Sequence, residues 1–92
     1  MIDKIFKTQG QNVVLDDASL QSVTDFSFLQ HVKSRLTQPI TGLRTNGDNR
    51  HAHLYFKCGS QQYSFSFDKR QQTLLFNEVI KGQWRFIVGH KK

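Results

Sequence analysis

The chain contains one cysteine, Cys58, and one proline, Pro39, among its 92 residues. A single cysteine cannot form a disulfide within the chain, which favours a reducing compartment. Long apolar runs are also missing. No stretch approaches the ~18 apolar residues that span a bilayer, and the apolar run at the start is too short for a signal peptide. We therefore expect a cytoplasmic protein without a membrane segment.

Motifs that identify a cofactor or a catalytic centre are absent as well. The six glycines are scattered singly, so no Gly-x-Gly-x-x-Gly or Gly-Lys-Ser/Thr loop exists to hold a nucleotide. No Cys-x-x-Cys or His-Glu-x-x-His sequence occurs, and the serines carry no nucleophile-elbow signature. His51 and His53 could share a metal ion, but a third ligand at a recognisable spacing is missing. We predict no cofactor, no metal and no catalytic residue.

The chain also lacks linkers, because it has no Ser/Gly-rich or acidic run. A length of 92 residues is enough for one hydrophobic core and leaves no room for a second. A hydrophobic fraction of 37% with eight Phe is typical of a folded protein rather than a disordered one. The sequence thus predicts a single domain over residues 1–92.

Acidic residues are scarce in the second half of the chain. Residues 44–92 contain three Asp or Glu and nine Lys or Arg, whereas residues 1–43 contain four of each. The net charge of +6 therefore lies entirely in the second half. Such a charge attracts phosphate or an acidic protein surface, so we expect nucleic acid or an acidic protein as partner.

A helix is predicted over residues 24 to 37. Apolar residues recur there at the three-to-four-residue spacing of one helix face, at Phe28, Leu29, Val32 and Leu36. Capping side chains precede them at Ser22, Thr24 and Asp25. Pro39 ends the helix because the residue before a proline is disfavoured in helical geometry.

After Pro39 the pattern changes to the two-residue alternation of strands. Turn signals separate these strands at Asn46-Gly47, Gly59-Ser60, Asp68-Lys69-Arg70 and Lys81-Gly82. Short connections favour antiparallel neighbours. We predict an α+β fold, in which one helix packs on an antiparallel meander of four or five strands over residues 40 to 88, with a further N-terminal strand near residues 13–15. The predicted core comprises Phe28, Leu29, Val32, Leu36, Phe56, Phe65, Phe67, Trp84 and Phe86.

The segment from His51 to Cys58 alternates without interruption. Its apolar side chains would face the core, and its polar and aromatic ones would face outward. We predict that the outward face binds nucleic acid. Lys57, Arg85, Arg44 and Arg50 would contact phosphates, and Tyr55, His51 and His53 would stack on bases or hydrogen-bond to them.

Two alternatives remain open at this point. The domain could bind another protein as an inhibitor, adaptor or small subunit, and an exposed sheet edge could form a homodimer. The histidines with Lys57 and Arg85 could also supply the base, acid and cation of a metal-independent ribonuclease. The small basic bacterial interferase toxins combine helix and sheet at this length, a fold-level analogy only.

Overall fold

Two short helices and seven strands make up residues 4–91, the part of the chain that the computed structural model describes. The elements are β1 (Phe6–Gln9), β2 (Asn12–Leu15), α1 (Asp17–Val23), α2 (Phe26–Arg35), β3 (Ile40–Gly47), β4 (His51–Cys58), β5 (Gln61–Asp68), β6 (Thr73–Ile80) and β7 (Gln83–Lys91). The predicted domain also includes residues 1–3 and 92, which lie outside the described residues.

The strands form one antiparallel sheet in which spatial order follows chain order, from β1 to β7. The predicted meander is therefore too small, and the prediction of one helix on four or five strands is wrong. The N-terminal segment accounts for the difference: β1 and β2 form a hairpin around Gly10, whose φ of 63° favours glycine. The sheet continues into β3 through a single residue pair, Val13 with Ile40.

Both helices begin at an aspartate that caps the first turn. The Asp16 carboxylate accepts from the backbone N–H of Ser19 at 3.4 Å, and Asp25 accepts from that of Phe28 at 2.8 Å. Asp25 was one of three capping residues predicted for α2, but no helix was predicted after Asp16, so α1 was missed. The predicted helix over residues 24 to 37 corresponds to α2, which is two residues shorter at each end.

The core lies between the helices and one face of the sheet. Aromatic rings stack through it, with centroid distances of 5.6 Å for Phe56 and Phe65 and 4.9 Å for Phe65 and Phe76. Phe28 of α2 stacks on Phe65 at 6.4 Å, which places the helices on this face. The fully buried side chains are Phe28, Phe65, Phe76, Ile5, Leu20, Leu54 and Val32. Phe67 and Leu36, both predicted to lie in the core, are only partly buried.

A β-bulge in β7 overturns two further core predictions. Phe76 pairs with Val88, but the next residue, Asn77, pairs with Phe86, so Ile87 is an extra residue in β7. The extra residue shifts the alternation by one position. Trp84 and Phe86 consequently lie on the face away from the helices, where they are 50% and 64% exposed.

A second irregularity lies in β3. Thr41 pairs with Lys57 and Arg44 with Tyr55, so Gly42 and Leu43 together oppose one residue of β4. Gly42 has a φ of 62°, the conformation that favours glycine at a bulge. The shift turns Arg44 to the same face as Tyr55, away from the helices.

Replacing a core ring and an exposed ring should show how much each face of the sheet contributes to the free energy of unfolding. We expect Phe65→Ala to lower the free energy of unfolding by about 3–5 kcal/mol, because it leaves a cavity in the aromatic stack. Phe86→Ala should lower it by about 0.5 kcal/mol or less, as is usual for an exposed residue. Urea denaturation followed by far-ultraviolet circular dichroism measures both. Equal losses would contradict the placement of Phe86.

Candidate nucleic-acid interface

The face of the sheet opposite the helices is not covered by any described element, and we call it the open face. Residues paired across antiparallel strands share a face. One such row crosses five strands, from Arg44 through Tyr55, Ser64 and Asn77 to Phe86. Neighbouring rows complete the central part of the face with His51, His53, Lys57, Gln62, Ser66, Asp68, Leu75 and Trp84.

Four rings follow one another on the open face, and we call them the aromatic ladder: His51, His53, Tyr55 and Trp84. Their successive centroids are 6.0, 5.9 and 5.8 Å apart. The first three alternate along β4, whereas Trp84 comes from β7 and reaches Tyr55 across β5 and β6. The aromatic ladder therefore extends across one face of the sheet from β4 to β7.

Small polar side chains form the floor beside the ladder. Ser64, although it lies on the open face, is only 2% exposed. The Asn77 amide donates to the hydroxyls of Ser64 at 3.2 Å and Ser66 at 3.4 Å. The Ser66 hydroxyl also lies 3.0 Å from Nδ1 of His53. Together with Tyr55 and Trp84, these residues line an open cleft of about 230 Å³.

Phe86 extends the aromatic surface beyond the ladder. A Cβ placed on Gly89 would lie 2.8 Å from Cδ2 of Leu75 and 3.2 Å from Cε1 of Phe86. The glycine thus leaves room for the Phe86 ring beside Leu75. The open face thereby gains a second exposed ring from β7.

Two cationic side chains, Arg44 and Lys57, lie near Tyr55 of the aromatic ladder. The Arg44 guanidinium carbon lies 5.2 Å from the centroid of the Tyr55 ring, within the range of a cation–π contact. Lys57 is exposed on the same face and lines a notch with Arg44, Tyr55 and Trp84. Neither Arg44 nor Lys57 forms an ion pair with another described residue. Both cations are therefore available to an anion.

The His51 end of the ladder differs because two carboxylates lie there. Asp68 Oδ2 is 3.4 Å from Nε of Arg50 and 3.6 Å from Nε2 of His51. Asp48 Oδ1 is 3.7 Å from Nδ1 of His51. The sequence predicted a turn at Asp68-Lys69-Arg70. In the structure Asp68 is the last residue of β5 and pairs directly with His51.

Five of the seven predicted site residues lie together on the open face: His51, His53, Tyr55, Lys57 and Arg44. Arg50 lies in the turn before β4, at the end of the ladder. Arg85 does not join them, because it pairs with Glu78 on the helix side of the sheet. The sequence analysis missed Trp84, Phe86 and Asn77. The run Phe86-Ile87-Val88, three consecutive apolar residues, was the available sign that alternation fails in β7.

Of the groups named in the ribonuclease hypothesis, His51, His53 and Lys57 lie on the open face. Arg85 lies on the opposite face. His90 of β7 has Nδ1 3.6 Å from Oδ2 of Asp25 at the start of α2. Within residues 4–91, no group of three or more His, Cys, Asp or Glu could hold a metal ion. Cys58 is buried on the core side.

Comparison of the chain with known protein families, curated proteins and solved structures finds no match. Neither helix among the described residues is long and apolar enough to cross a membrane.

The carboxylates near His51 predict a pH dependence of stability. The pKa of Asp48 is lowered chiefly because the backbone N–H of His51 donates to it, and that of Asp68 chiefly because the N–H of Gln71 does. A carboxyl with a lowered pKa stabilises the fold above its unfolded value of about 3.9. This stabilisation is lost as the pH falls through the folded value.

The double variant Asp48→Asn/Asp68→Asn tests this pH dependence. Asparagine keeps an acceptor oxygen but does not titrate, so the unfolding free energy should fall less between about pH 6 and about pH 2 than in the wild type. Urea denaturation across that range measures the difference. An identical fall in the two proteins would contradict the assignment of these carboxylates.

Proposed function

We propose that this chain is a cytoplasmic domain that binds single-stranded nucleic acid on its open face. The observation that carries the proposal is the aromatic ladder beside two available cations, Arg44 and Lys57. The described part of the face has carboxylate only near His51. Bases would stack on the rings, and phosphates would contact the cations.

Stacking favours a single strand over a duplex. Bases of a single strand expose their faces, whereas those of a duplex are already stacked inside the helix. Sheet-based binders of single strands use aromatic side chains in this way, and each stacked base contributes about 1–3 kcal/mol. The Ser66 hydroxyl and the Asn77 amide lie beside the rings and are partly exposed, so they could hydrogen-bond to base edges.

The charge distribution supports the same partner. The net charge of +6 attracts a polyanion over a long range, and contacts with phosphates release counterions. Arg44 adds a local contribution because its guanidinium already lies near the Tyr55 ring. A base stacked on Tyr55 would therefore bring its phosphate close to Arg44 and Lys57.

Removing one ring of the ladder should weaken binding. We expect Trp84→Ala to lower the affinity for a single-stranded oligonucleotide by about 1–3 kcal/mol, because one stacking partner is lost. Fluorescence anisotropy of labelled oligothymidylate and oligouridylate measures the affinity. Phe26→Ala is the matched control, since Phe26 is a 62% exposed aromatic residue at the start of α2. Equal affinities of the two variants would contradict the proposed face.

Removing charge from the open face should change the salt dependence. Each phosphate contact on a single strand contributes a slope of about −0.7 to the dependence of log K on log salt. The variant Arg44→Gln/Lys57→Gln should therefore flatten the slope by about 1.4. The control Lys33→Gln/Arg85→Gln removes two charges from the helix side and should leave the slope unchanged. An equal change in both variants would indicate only a general charge effect.

A protein partner is the second candidate, and the exposure of Trp84 and Phe86 is the observation that favours it. Aromatic residues are enriched in the centres of protein interfaces. Such a complex would lose little affinity between about 50 and 200 mM salt, whereas binding to nucleic acid would fall strongly. Duplex and single-stranded RNA and DNA, tested together at both salt concentrations, separate the two candidates.

A further inference from the structure

Two turns lie side by side at the end of the sheet where β4 begins. The backbone N–H of Lys69 donates to the carbonyl oxygen of Arg50 at 2.8 Å. The Lys69 ammonium donates to the carbonyl oxygen of Asp48 at 2.9 Å. We call residues 48–50 and 69–72 the paired turns. Antiparallel pairing of β4 with β5 brings them together, although they are about twenty residues apart in the chain.

The paired turns carry three cations, Arg50, Lys69 and Arg70, against the carboxylates of Asp48 and Asp68, which gives a local net charge of +1. The Asp68 side chain is 18% exposed, whereas that of Arg50 is 47% exposed. Asp68 also accepts from two backbone N–H groups of its own turn. Lys69 and Arg70 are both exposed. The Asp48 side chain is 70% exposed, so the solvent-facing surface of this corner carries one exposed carboxylate beside three cationic side chains.

The aromatic ladder connects this corner to the other cations. His51, the first ring, follows Arg50 directly in the chain. Lys57 lies six residues further along β4, a distance of about 20 Å at ~3.3 Å per strand residue. Three rings of the ladder alternate along β4, and Trp84 from β7 contacts the last of them. At spacings of about 6 Å, these rings offer stacking positions for roughly four bases, which is near the lower limit for a single-strand site.

We propose that the bound strand lies along β4, with phosphates held by Arg44 and Lys57 at one end and by the paired turns at the other. The inference rests on the proposed function and assigns phosphate contacts to Lys69 and Arg70. A strand of about four nucleotides or more reaches both groups of cations. A dinucleotide reaches only one of these two groups of cations.

A length series of oligonucleotides tests this arrangement. Labelled oligothymidylate and oligouridylate of two to ten nucleotides are titrated into the wild type and into Lys69→Gln/Arg70→Gln, with anisotropy and Trp84 fluorescence as readouts. Wild-type affinity should rise with length and level off near four to five nucleotides. The variant should lose that gain, and for longer strands its salt slope should be flatter by about 1.4. Its affinity for the dinucleotide should match the wild type.

The substitutions keep the backbone hydrogen bonds of the turns, and Lys69→Gln removes only the contact of the ammonium with the Asp48 carbonyl oxygen. Glutamine keeps the backbone N–H groups that Lys69 and Arg70 donate to Arg50 and Asp68, and circular dichroism checks the folded state. Lys33→Gln/Arg85→Gln again controls for the loss of two charges. An equal loss in that control, or an unchanged length dependence in Lys69→Gln/Arg70→Gln, would overturn the inference while the proposed function stands. If the wild type binds no strand of any length, the proposed function itself is wrong.

Discussion

The strict alternation of side chains in a strand is the constraint on which this molecule depends, because it divides the sheet into a covered and an open face. Two bulges modify that alternation. The one at Gly42 and Leu43 turns Arg44 to the open face, and the one at Ile87 turns Trp84 and Phe86 to it. Bulges that redirect side chains in this way are common near functional sites. Without them, the open face would hold neither Arg44 over Tyr55 nor the last ring of the ladder.

The two faces of the central strands have complementary roles. On the covered face, the rings of Phe56, Phe65 and Phe76 stack and bury apolar surface against the helices. On the open face, the same strands contribute serines and an asparagine that hydrogen-bond to one another. Because these residues are small, Trp84 can reach Tyr55 across them. The packed core on one face thus fixes the strands that carry the aromatic ladder on the other face.

The bulge in β7 also bears on the predicted homodimer through a sheet edge. β7 is nine residues long and pairs only with β6 among the described strands. A bulge is one of the features by which proteins discourage pairing of an exposed edge. The homodimer through a sheet edge stays a prediction.

The sequence by itself determined the antiparallel strands after Pro39, the central part of α2 and the outward row of β4, because short turns and local periodicity specify these features. The sequence also showed that the net positive charge lies in residues 44–92. Tertiary structure decided how the N-terminal hairpin joins the sheet, through one pairing of Val13 with Ile40, and the faces of Trp84, Arg85 and Phe86. A bulge depends on how a strand packs against its neighbour and on both faces at once, so local alternation does not reveal it.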